Sequence, residues 1–397
     1  MSLCINPQCK QQHNSDSTIF CHSCGSELLI DGRYRVVREL GHGGFGTAYD
    51  AVDFNYRPWV LKVLTDNHPK YVELFRQEAE ILSILNHSGI PKIDLDGYFT
   101  YFPEGREEPL HCLVMEKIEG LNLAEYIEQR GHRPIKFKRA LRWLAELSLI
   151  LERVHQHNFF HRDIKPSNIM LKANGCLVLI DFGTVREVTQ SYINKKAAGN
   201  LTGVVSHGYT PIEQMRGKAV FQSDFYALGS TMIFLLTGEN PSSFYDYSED
   251  KFDWDRAATD ISPQFIDLID RMTAFSPVKR PANAREIFNQ IVAIDSSLQV
   301  LDEHYTSTTE ARSGNPQHER SHPAKVTVAP LKHNPVTPEF IEYCRLELAQ
   351  YIGPMASIIC KRTIRDNPNI SQIELCTALA KTISDPQQAK DFQRRLI

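Results

Sequence analysis

The chain has 397 residues, of which 42% are hydrophobic and 23% are charged, and its formal net charge is −4. This length predicts roughly two or three domains, and the mild charge gives no case for nucleic acid or an anionic membrane as an obligate partner. No apolar run reaches about eighteen residues, so no transmembrane helix is expected. Residues 1–30 lack the features of a signal peptide, and lipid-anchoring signals are absent, which predicts a cytoplasmic protein.

Four cysteines in two close pairs stand near the N-terminus. They are Cys4, Cys9, Cys21 and Cys24. Four thiolates in pairs suit tetrahedral Zn²⁺, so residues 1–30 are expected to form a small zinc ribbon with these ligands. Three alternatives stay open: His13 or His22 as a substitute ligand, a redox dithiol at Cys21-x-x-Cys24, and an unstructured segment. The other five of the nine cysteines are scattered singly, which does not suggest a secreted disulfide scaffold.

A glycine-rich segment follows, with the sequence Gly41-His-Gly43-Gly44-Phe-Gly46. Such a run alone could also open a dinucleotide-binding unit, but a helix would then come next. Here the flanking segments, residues 34–40 and 47–53, alternate as strands do. The sequence therefore predicts a hairpin whose backbone amides can approach phosphate groups.

A lysine, Lys62, lies inside the next predicted strand, over residues 59–64. A buried lysine needs a partner of opposite charge. Apolar residues at 74, 75, 81, 82 and 85 then follow a helical period, and this predicted helix carries two carboxylates, Glu78 and Glu80. The apolar segment over residues 110–118 predicts a further strand.

The densest cluster of chemistry is the run His161-Arg-Asp163-Ile-Lys165-Pro-Ser-Asn168, followed by Asp181-Phe-Gly. Asp163 could accept a hydroxyl proton, and Lys165 could offset the charge of a phosphate. Asn168 and Asp181 supply hard oxygen ligands of the kind that Mg²⁺ prefers. A short apolar strand, residues 176–180, would deliver Asp181. These groups together indicate phosphoryl transfer from a nucleotide to a hydroxyl.

In these motifs the chain resembles bacterial eukaryotic-like serine/threonine protein kinases, and the cysteines before the glycine loop resemble the cyanobacterial type. The resemblance implies an α+β, two-lobed kinase fold over residues 31–295, with a β-rich N-lobe and a helical C-lobe. It also implies ATP and Mg²⁺ as cofactors, protein substrates, and autophosphorylation. Lys62 would contact the α- and β-phosphates and pair with Glu78 rather than Glu80. Ala48 departs from the valine that the family usually has above the adenine.

The resemblance also implies which residues surround ATP, with Met115 as the gatekeeper of the hinge. These residues are Leu40, Gly41, Gly43, Gly44, Gly46, Ala48, Lys62, Met115, Glu116 and Ile118.

Further family positions follow the catalytic run. Glu213 matches the end of the activation loop, Asp224 opens the large helix of the C-lobe, and Arg280 matches the arginine that pairs with Glu213. Arg162 implies switching by a phosphate on the loop between Asp181 and Glu213. Candidate phosphosites are Thr189, Ser191, Thr202 and Ser206. Thr202 is favoured, because Ser206 aligns with a residue that contacts the catalytic loop.

The C-terminal part begins with a polar stretch, residues 296–336, which is predicted to be a flexible linker. Residues 337–397 are then predicted to form a small helical module. Its predicted helices begin at Thr337-Pro, at the capping box of Ser371 and Glu374, and at Asp385-Pro. This module is a candidate for self-association.

Two rival functions remain to be weighed. A pseudokinase would be a nucleotide-binding scaffold, but such proteins usually lack one of Lys62, Asp163 and Asp181, and this chain has all three. A small-molecule kinase is disfavoured by Glu213, Asp224 and Arg280, which match a complete protein-kinase C-lobe.

Overall fold

The structure, a computed structural model, describes most of the chain. The described residues are 1–43, 46–184, 186–187, 206–246, 248–258, 260–303 and 338–396, the last range without 353–355, 357–358, 361–362, 365–366, 368–369 and 384–385. The chain divides into two compact units, residues 1–314 and 315–397. In the part that is described, no helix is long and apolar enough to cross a membrane.

Antiparallel strands build the first part of the first unit. Their bounds are β1 (Ser2–Leu3), β2 (His13–Asn14), β3 (Leu29–Ile30), β4 (Tyr34–Gly43), β5 (Gly46–Val52), β6 (Pro58–Leu64), β7 (Ile93–Tyr101), β8 (Leu110–Glu116) and β9 (Leu121–Asn122). The largest sheet among the described residues has the order β3-β4-β5-β6-β8-β7. Helix α1 (Pro69–Ile84) connects β6 to β7.

Both faces of the sheet are buried. Alternate residues of each strand point to opposite faces, so each strand contributes side chains to both faces. In β6, Leu61 and Val63 pack with Leu3 and Ile5 of the N-terminal segment. Leu64 instead packs with residues of helix α1 on the opposite face. Lys62 is two residues before Leu64 in the strand, so its side chain points to the same face of the sheet as that of Leu64. The N-terminal segment therefore covers the sheet face that α1 does not.

The second part of this unit is mainly helical. Its α-helices are α2 (Leu123–Gln129), α3 (Phe137–Gln156), α4 (Ile212–Met215), α5 (Phe221–Thr237), α6 (Pro263–Met272) and α7 (Ala284–Ile294). Short strands lie between them, namely β10 (Phe159–Phe160), β11 (Ile169–Leu171), β12 (Leu177–Leu179), β13 (Arg186–Glu187), β14 (Tyr245–Asp246) and β15 (Lys251–Phe252). Short 3₁₀ helices cover Pro166–Asn168, Phe182–Thr184, Pro241–Phe244, Asp255–Ala257, Pro277–Lys279 and Ser296–Gln299.

The main apolar core of this helical lobe is continuous with the residues packed around helix α1. Buried side chains of α3, such as Leu144 and Ile150, pack with Leu228 of α5 and Phe288 of α7. Helix α5 ends at Thr237 and is capped by Gly238, which adopts a left-handed φ of 79°. The core fixes the loops after β10 and β12, which carry the predicted catalytic residues.

The second unit contains helices α8 (Pro338–Ile352), α9 (Gln372–Ala380) and α10 (Pro386–Leu396). Their buried side chains form one cluster, which includes Cys344, Leu348, Leu375 and Phe392. The capping box that was predicted to open the second helix is confirmed: Ser371 caps the N-terminus of α9 together with Glu374.

The strands and the helix predicted from periodicity in the first unit are confirmed to within a few residues. One boundary differs. The linker was predicted to begin at residue 296, but Leu298 and Leu301 are buried against the core of the helical lobe. Residues 296–303 therefore belong with the helical lobe, because these two leucines add apolar surface to its core. The rest of the predicted linker, residues 304–336, lies outside the described residues.

Candidate active site

A cavity of about 320 Å³ lies under the hairpin of β4 and β5. Its lining includes the predicted residues Leu40, Gly41, Gly46, Ala48, Lys62, Glu78 and Asp181. Gly46 has a φ of 156°, and a Cβ built there would lie 2.1 Å from the carbonyl oxygen of Val63, so only glycine fits between these strands. The hairpin therefore approaches β6 closely over the cavity.

Lys62 brings together three separate elements at the base of this cavity. Its Nζ lies 2.6 Å from Oε1 of Glu78 on α1 and 2.9 Å from Oδ1 of Asp181. Glu80, the rival carboxylate, is not among the residues that line the cavity. The helical period explains the choice, because Glu78 is on the buried face of α1 with Phe75 and Leu82.

The charges of this group shift one another's pKa values. Lys62 lowers the pKa of Asp181 to about 2. Burial acts to lower the pKa of Lys62, but Asp181 and Glu78 outweigh it and raise that pKa. Burial raises the pKa of Glu78 in spite of the contact with Lys62. Lys62 and Asp181 are thus both charged near neutral pH.

Asp163 lies at the centre of a second hydrogen-bonded group. Its Oδ2 accepts hydrogen bonds from Lys165 Nζ at 2.7 Å and from Asn168 Nδ2 at 2.9 Å. Its Oδ1 accepts from the hydroxyl of Ser206 at 2.7 Å. Lys165 also donates to Ser206 at 3.2 Å. The carboxylate of Asp163 is therefore fixed from three directions, beside a cation.

The buried carboxylate of Asp224 holds the backbone of this loop. It accepts hydrogen bonds from the backbone N–H groups of His161 and Arg162, both at 2.8 Å, and it lies 2.8 Å from Nε2 of His155. Arg162 and Asp181 have positive φ values of 71° and 65°, which is uncommon for residues with a side chain. Backbone strain of this kind persists only where surrounding contacts impose it.

Glu213 and Arg280 form a buried ion pair behind the loop. Arg280 Nη1 lies 2.6 Å from Oε1 of Glu213, and the arginine side chain has no solvent exposure. Arg280 also donates to the backbone carbonyls of Ala274, Gln222 and Phe275. The pair thus joins the start of α4 to the turn before α7.

The favoured candidate phosphosite, Thr202, lies outside the described residues, and so do the candidates Thr189 and Ser191.

The predicted hinge residues lie at and just after the end of β8, and they are not in the lining of the cavity. Met115 is buried, and its strand position faces Val60 of β6. The backbone N–H of Glu116 donates to the carbonyl of Lys92 at 2.7 Å, and Ile118 is buried two residues on. Gly43 ends β4, and Gly44 lies outside the described residues.

The four N-terminal cysteines come together. Their sulfur atoms all lie within 4.8 Å of one another, and Cys4–Cys24 and Cys9–Cys21 are each 3.6 Å apart. His13 and His22 are exposed and do not belong to this group. Four convergent thiols at this spacing match the ligand set of tetrahedral Zn²⁺.

The thiols of this group differ in acidity. Burial raises the pKa of Cys4. Burial acts in the same direction on Cys21, but the backbone N–H groups of Cys24 and Ser23 outweigh it and lower the pKa of Cys21 to about 6. Backbone donors around Cys21 therefore favour its thiolate, the form that binds metal.

Some residues of the site were not predicted from the sequence. His155 contacts Asp224, and Gln214 donates to the backbone carbonyl of Arg162 at 2.6 Å. Glu146 on α3 is buried and accepts a hydrogen bond from the backbone N–H of Leu177, at the start of the strand that leads to Asp181. A carboxylate amid the apolar residues of α3 was the one available signal for Glu146.

Comparisons with known proteins find related sequences for both parts of the chain. Residues 34–292 match the sequence model of the protein kinase domain, and residues 339–397 match a domain of unknown function, DUF8082. The chain is 34% identical to serine/threonine-protein kinase F of Synechocystis sp. over 317 residues, which are 72% of this chain and 62% of that protein. It is 38% identical to serine/threonine-protein kinase PknA of Nostoc sp. over 281 residues, 67% of this chain and 48% of the relative.

A third relative is serine/threonine-protein kinase PrkC of Bacillus subtilis. The identity is 33% over 216 residues, which are 53% of this chain and 31% of that protein. The chain thus spans less than two thirds of the length of these curated relatives.

Proposed function

The chain belongs to the protein kinase family, and on that premise we propose that it transfers the γ-phosphate of ATP to serine and threonine hydroxyls of proteins, itself included. The arrangement around Asp163 carries this proposal. A carboxylate held by Lys165, Asn168 and Ser206 at 2.7–2.9 Å suits the acceptance of a hydroxyl proton next to a cation. If the pair of Lys165 and Asp163 were only structural, it would not need the additional hydrogen bond that the hydroxyl of Ser206 donates to Asp163.

Each group has a separate role in this proposal. Asp163 accepts or orients the proton of the substrate hydroxyl, and Lys165 offsets negative charge on the phosphate that is transferred. Lys62, kept in place by Glu78, contacts the α- and β-phosphates. The nucleotide lies between the glycine hairpin and the hinge. The proposed contacts are Leu40, Gly41, Gly43, Gly44, Gly46, Ala48, Met115, Glu116 and Ile118.

Asn168 and Asp181 are the residues that would hold Mg²⁺. Asp181 lies in the cavity with its side chain 42% exposed, and its low pKa keeps it ionised. Asn168 uses its amide nitrogen for Asp163, and its amide oxygen is a hard donor that suits this ion. Bound Mg²⁺ neutralises charge on the phosphates. The donor set therefore fits the metal.

Two observations favour serine and threonine over tyrosine as acceptors. The loop reads Lys165-Pro-Ser-Asn168, which resembles the serine/threonine form of the family, and the relatives carry the name serine/threonine-protein kinase. Incubation of the full chain with radiolabelled ATP and a mixed protein substrate tests this. Acid hydrolysis should release labelled phosphoserine and phosphothreonine. Label on phosphotyrosine alone would contradict the assignment.

The four cysteines are proposed to bind one Zn²⁺ per chain as a structural site. This proposal rests on their sulfur distances and on the way the segment packs, with Leu3 and Ile5 against the sheet. Bound metal would stabilise a segment too small to have a core of its own. Elemental analysis of reduced, purified protein should find about one zinc per chain, as expected for four thiolate ligands.

Thermal unfolding gives a readout of this site that does not depend on activity. A chelator should lower the unfolding temperature of the wild type but not that of Cys21→Ser. The matched control is Cys176→Ser, a cysteine outside the group, which should keep its zinc. Absence of zinc together with a Cys21–Cys24 disulfide would favour the redox alternative instead.

A further inference from the structure

A basic cleft lies in the helical lobe and shares no lining residue with the cavity under the glycine hairpin. Its volume is about 700 Å³, and its lining contains six cationic side chains and no aspartate or glutamate. The cations are Arg130, Lys136, Lys138, Arg139, Arg142 and Lys172. They come from the end of α2, from the start of α3 and from the turn between β11 and β12, so the fold gathers them from three places.

Nearby carboxylates offset only part of this charge. Arg142 lies 2.9 Å from the buried Glu146, and Lys172 lies 3.6 Å from Glu116. The pKa of Asp295 is lowered mainly by hydrogen bonds from Ser297, and the charge of Lys138 lowers it further. Among the residues that the structure describes, Arg130 and Arg139 lie against aromatic rings and Lys136 is exposed.

The guanidinium groups of Arg130 and Arg139 each lie over an aromatic ring. The guanidinium of Arg130 lies 5.3 Å from the ring centre of Tyr126, and that of Arg139 lies 5.8 Å from the ring centre of Trp143. Nε of Arg130 is buried and has no hydrogen-bond partner within the described part of the chain. A buried donor without a partner costs free energy, so the lining of the cleft contains a cationic group that is not fully satisfied.

The start of helix α3 adds to the positive field. Lys136 is its N-cap residue and makes no side-chain capping bond, and the first turn contains Lys138 and Arg139 but no acid. The N-terminus of a helix carries partial positive charge, so cations there are unfavourable. This cluster therefore lowers the stability of the helix, and an anion bound between its members would reverse the effect.

We propose that this cleft binds an acidic segment of a protein substrate, whose carboxylates pair with the guanidinium groups of the arginines. The inference rests on the proposed function, since a protein kinase must select protein substrates. Arginine guanidinium groups match carboxylates with two parallel hydrogen bonds. A volume of this size suits a short peptide stretch. A flat membrane surface would make fewer contacts with a concave site. A nucleic acid strand would need a longer row of cationic side chains.

Fluorescence anisotropy on the full chain tests the proposal. The probe is a fluorescein-labelled peptide of alternating glutamate and glycine, and its reference is the same peptide with glutamine. The cleft variant combines Lys136→Glu, Lys138→Glu and Arg139→Glu, all exposed positions. Acids in the first turn favour the helix, so this variant should fold, as circular dichroism can verify. The control variant carries the same charge change at three exposed cations outside the cleft, Arg57→Glu, Lys251→Glu and Arg256→Glu.

The wild type and the control variant should bind the glutamate peptide alike, and the cleft variant should bind about tenfold more weakly or worse. The glutamine peptide should not bind. Equal binding by all three proteins, or equal loss in both variants, would overturn the proposal. Tighter, cleft-dependent binding of oligothymidylate or of phosphatidylserine vesicles would overturn it in favour of that ligand. Because binding is measured without phosphoryl transfer, this result is independent of whether the chain is an active kinase.

Discussion

Lys62 Nζ lies 2.6 Å from Glu78 Oε1, and this contact joins the central strand of the sheet to helix α1. The glutamate side chain is buried, with 4% exposure, while the lysine also reaches Asp181 at 2.9 Å. The position of α1 therefore determines where the amine of Lys62 is held. A displacement of the helix would leave Lys62 with Asp181 alone.

Replacement of Glu78 by glutamine should lower kcat/KM for ATP by about tenfold or more, because a neutral amide holds Lys62 less firmly. Steady-state kinetics with varied ATP measure the effect. Glu80→Gln, two residues along the same helix, is the control and should leave the rate nearly unchanged. Equal losses in both variants would mean that general damage to α1, rather than the contact with Lys62, is responsible.

The contact between Lys62 and Asp181 should be insensitive to mild acid. The pKa of Asp181 is about 2 in the folded chain, below the value of about 3.9 for a free aspartate, so the contact stabilises the fold above that value and is lost as pH falls through the folded pKa. The difference in Tm between the wild type and Asp181→Asn should therefore stay constant from about pH 8 down to about pH 5 and decrease as pH falls below about 4. A difference that does not change as pH falls from about 4 to about 3 would show that the pKa of Asp181 is not lowered.

Arg280→Ala should destabilise the chain by about 3 kcal/mol, because Glu213 would remain as a partly buried charge without its partner. Three backbone carbonyls would also lose their donor. Urea unfolding followed by tryptophan fluorescence measures the change. Lys279→Ala removes an exposed cation next to it and should cost about 0.5 kcal/mol or less. A similar cost for both variants would contradict the importance of the buried pair.

Much of the site could be predicted from the sequence because its parts are local. Asp163, Lys165 and Asn168 lie close together along the chain, and the resemblance to the family implied Glu78 rather than Glu80. What escaped prediction depends on long-range packing. His155 reaches Asp224 across 69 positions, and nothing in the sequence around either residue indicates the pairing.

The same distinction holds for the fold. The apolar run of β6 predicts a strand, but the run does not say that Leu3 and Ile5 cover one face of the sheet. The end of the helical lobe was placed too early because polar composition conceals the two buried leucines at 298 and 301. Periodicity specifies elements, while their partners are determined by tertiary packing.

Ser206 and Thr202 should behave differently when they are replaced. Ser206 donates a hydrogen bond to Asp163, so Ser206→Ala should lower kcat about tenfold, and Ser206→Thr, which keeps the hydroxyl, should restore most of it. Thr202→Ala should instead remove a phosphate that would otherwise pair with Arg162. Mass spectrometry of the active wild type should find that phosphate on Thr202. Active protein with the whole loop unmodified would exclude this switch.

Phosphoryl transfer by Asp163→Asn is the measurement that tests the proposed function most directly. The substitution keeps the size of the side chain and removes the proton acceptor, so the rate of transfer to protein should fall by about 10³-fold while ATP still binds. Label incorporation and nucleotide affinity should be measured on the same preparations of wild type and variant. A variant that labels substrate at the wild-type rate would contradict the role of Asp163. A wild type that binds ATP but transfers no phosphate would identify the chain as a pseudokinase scaffold.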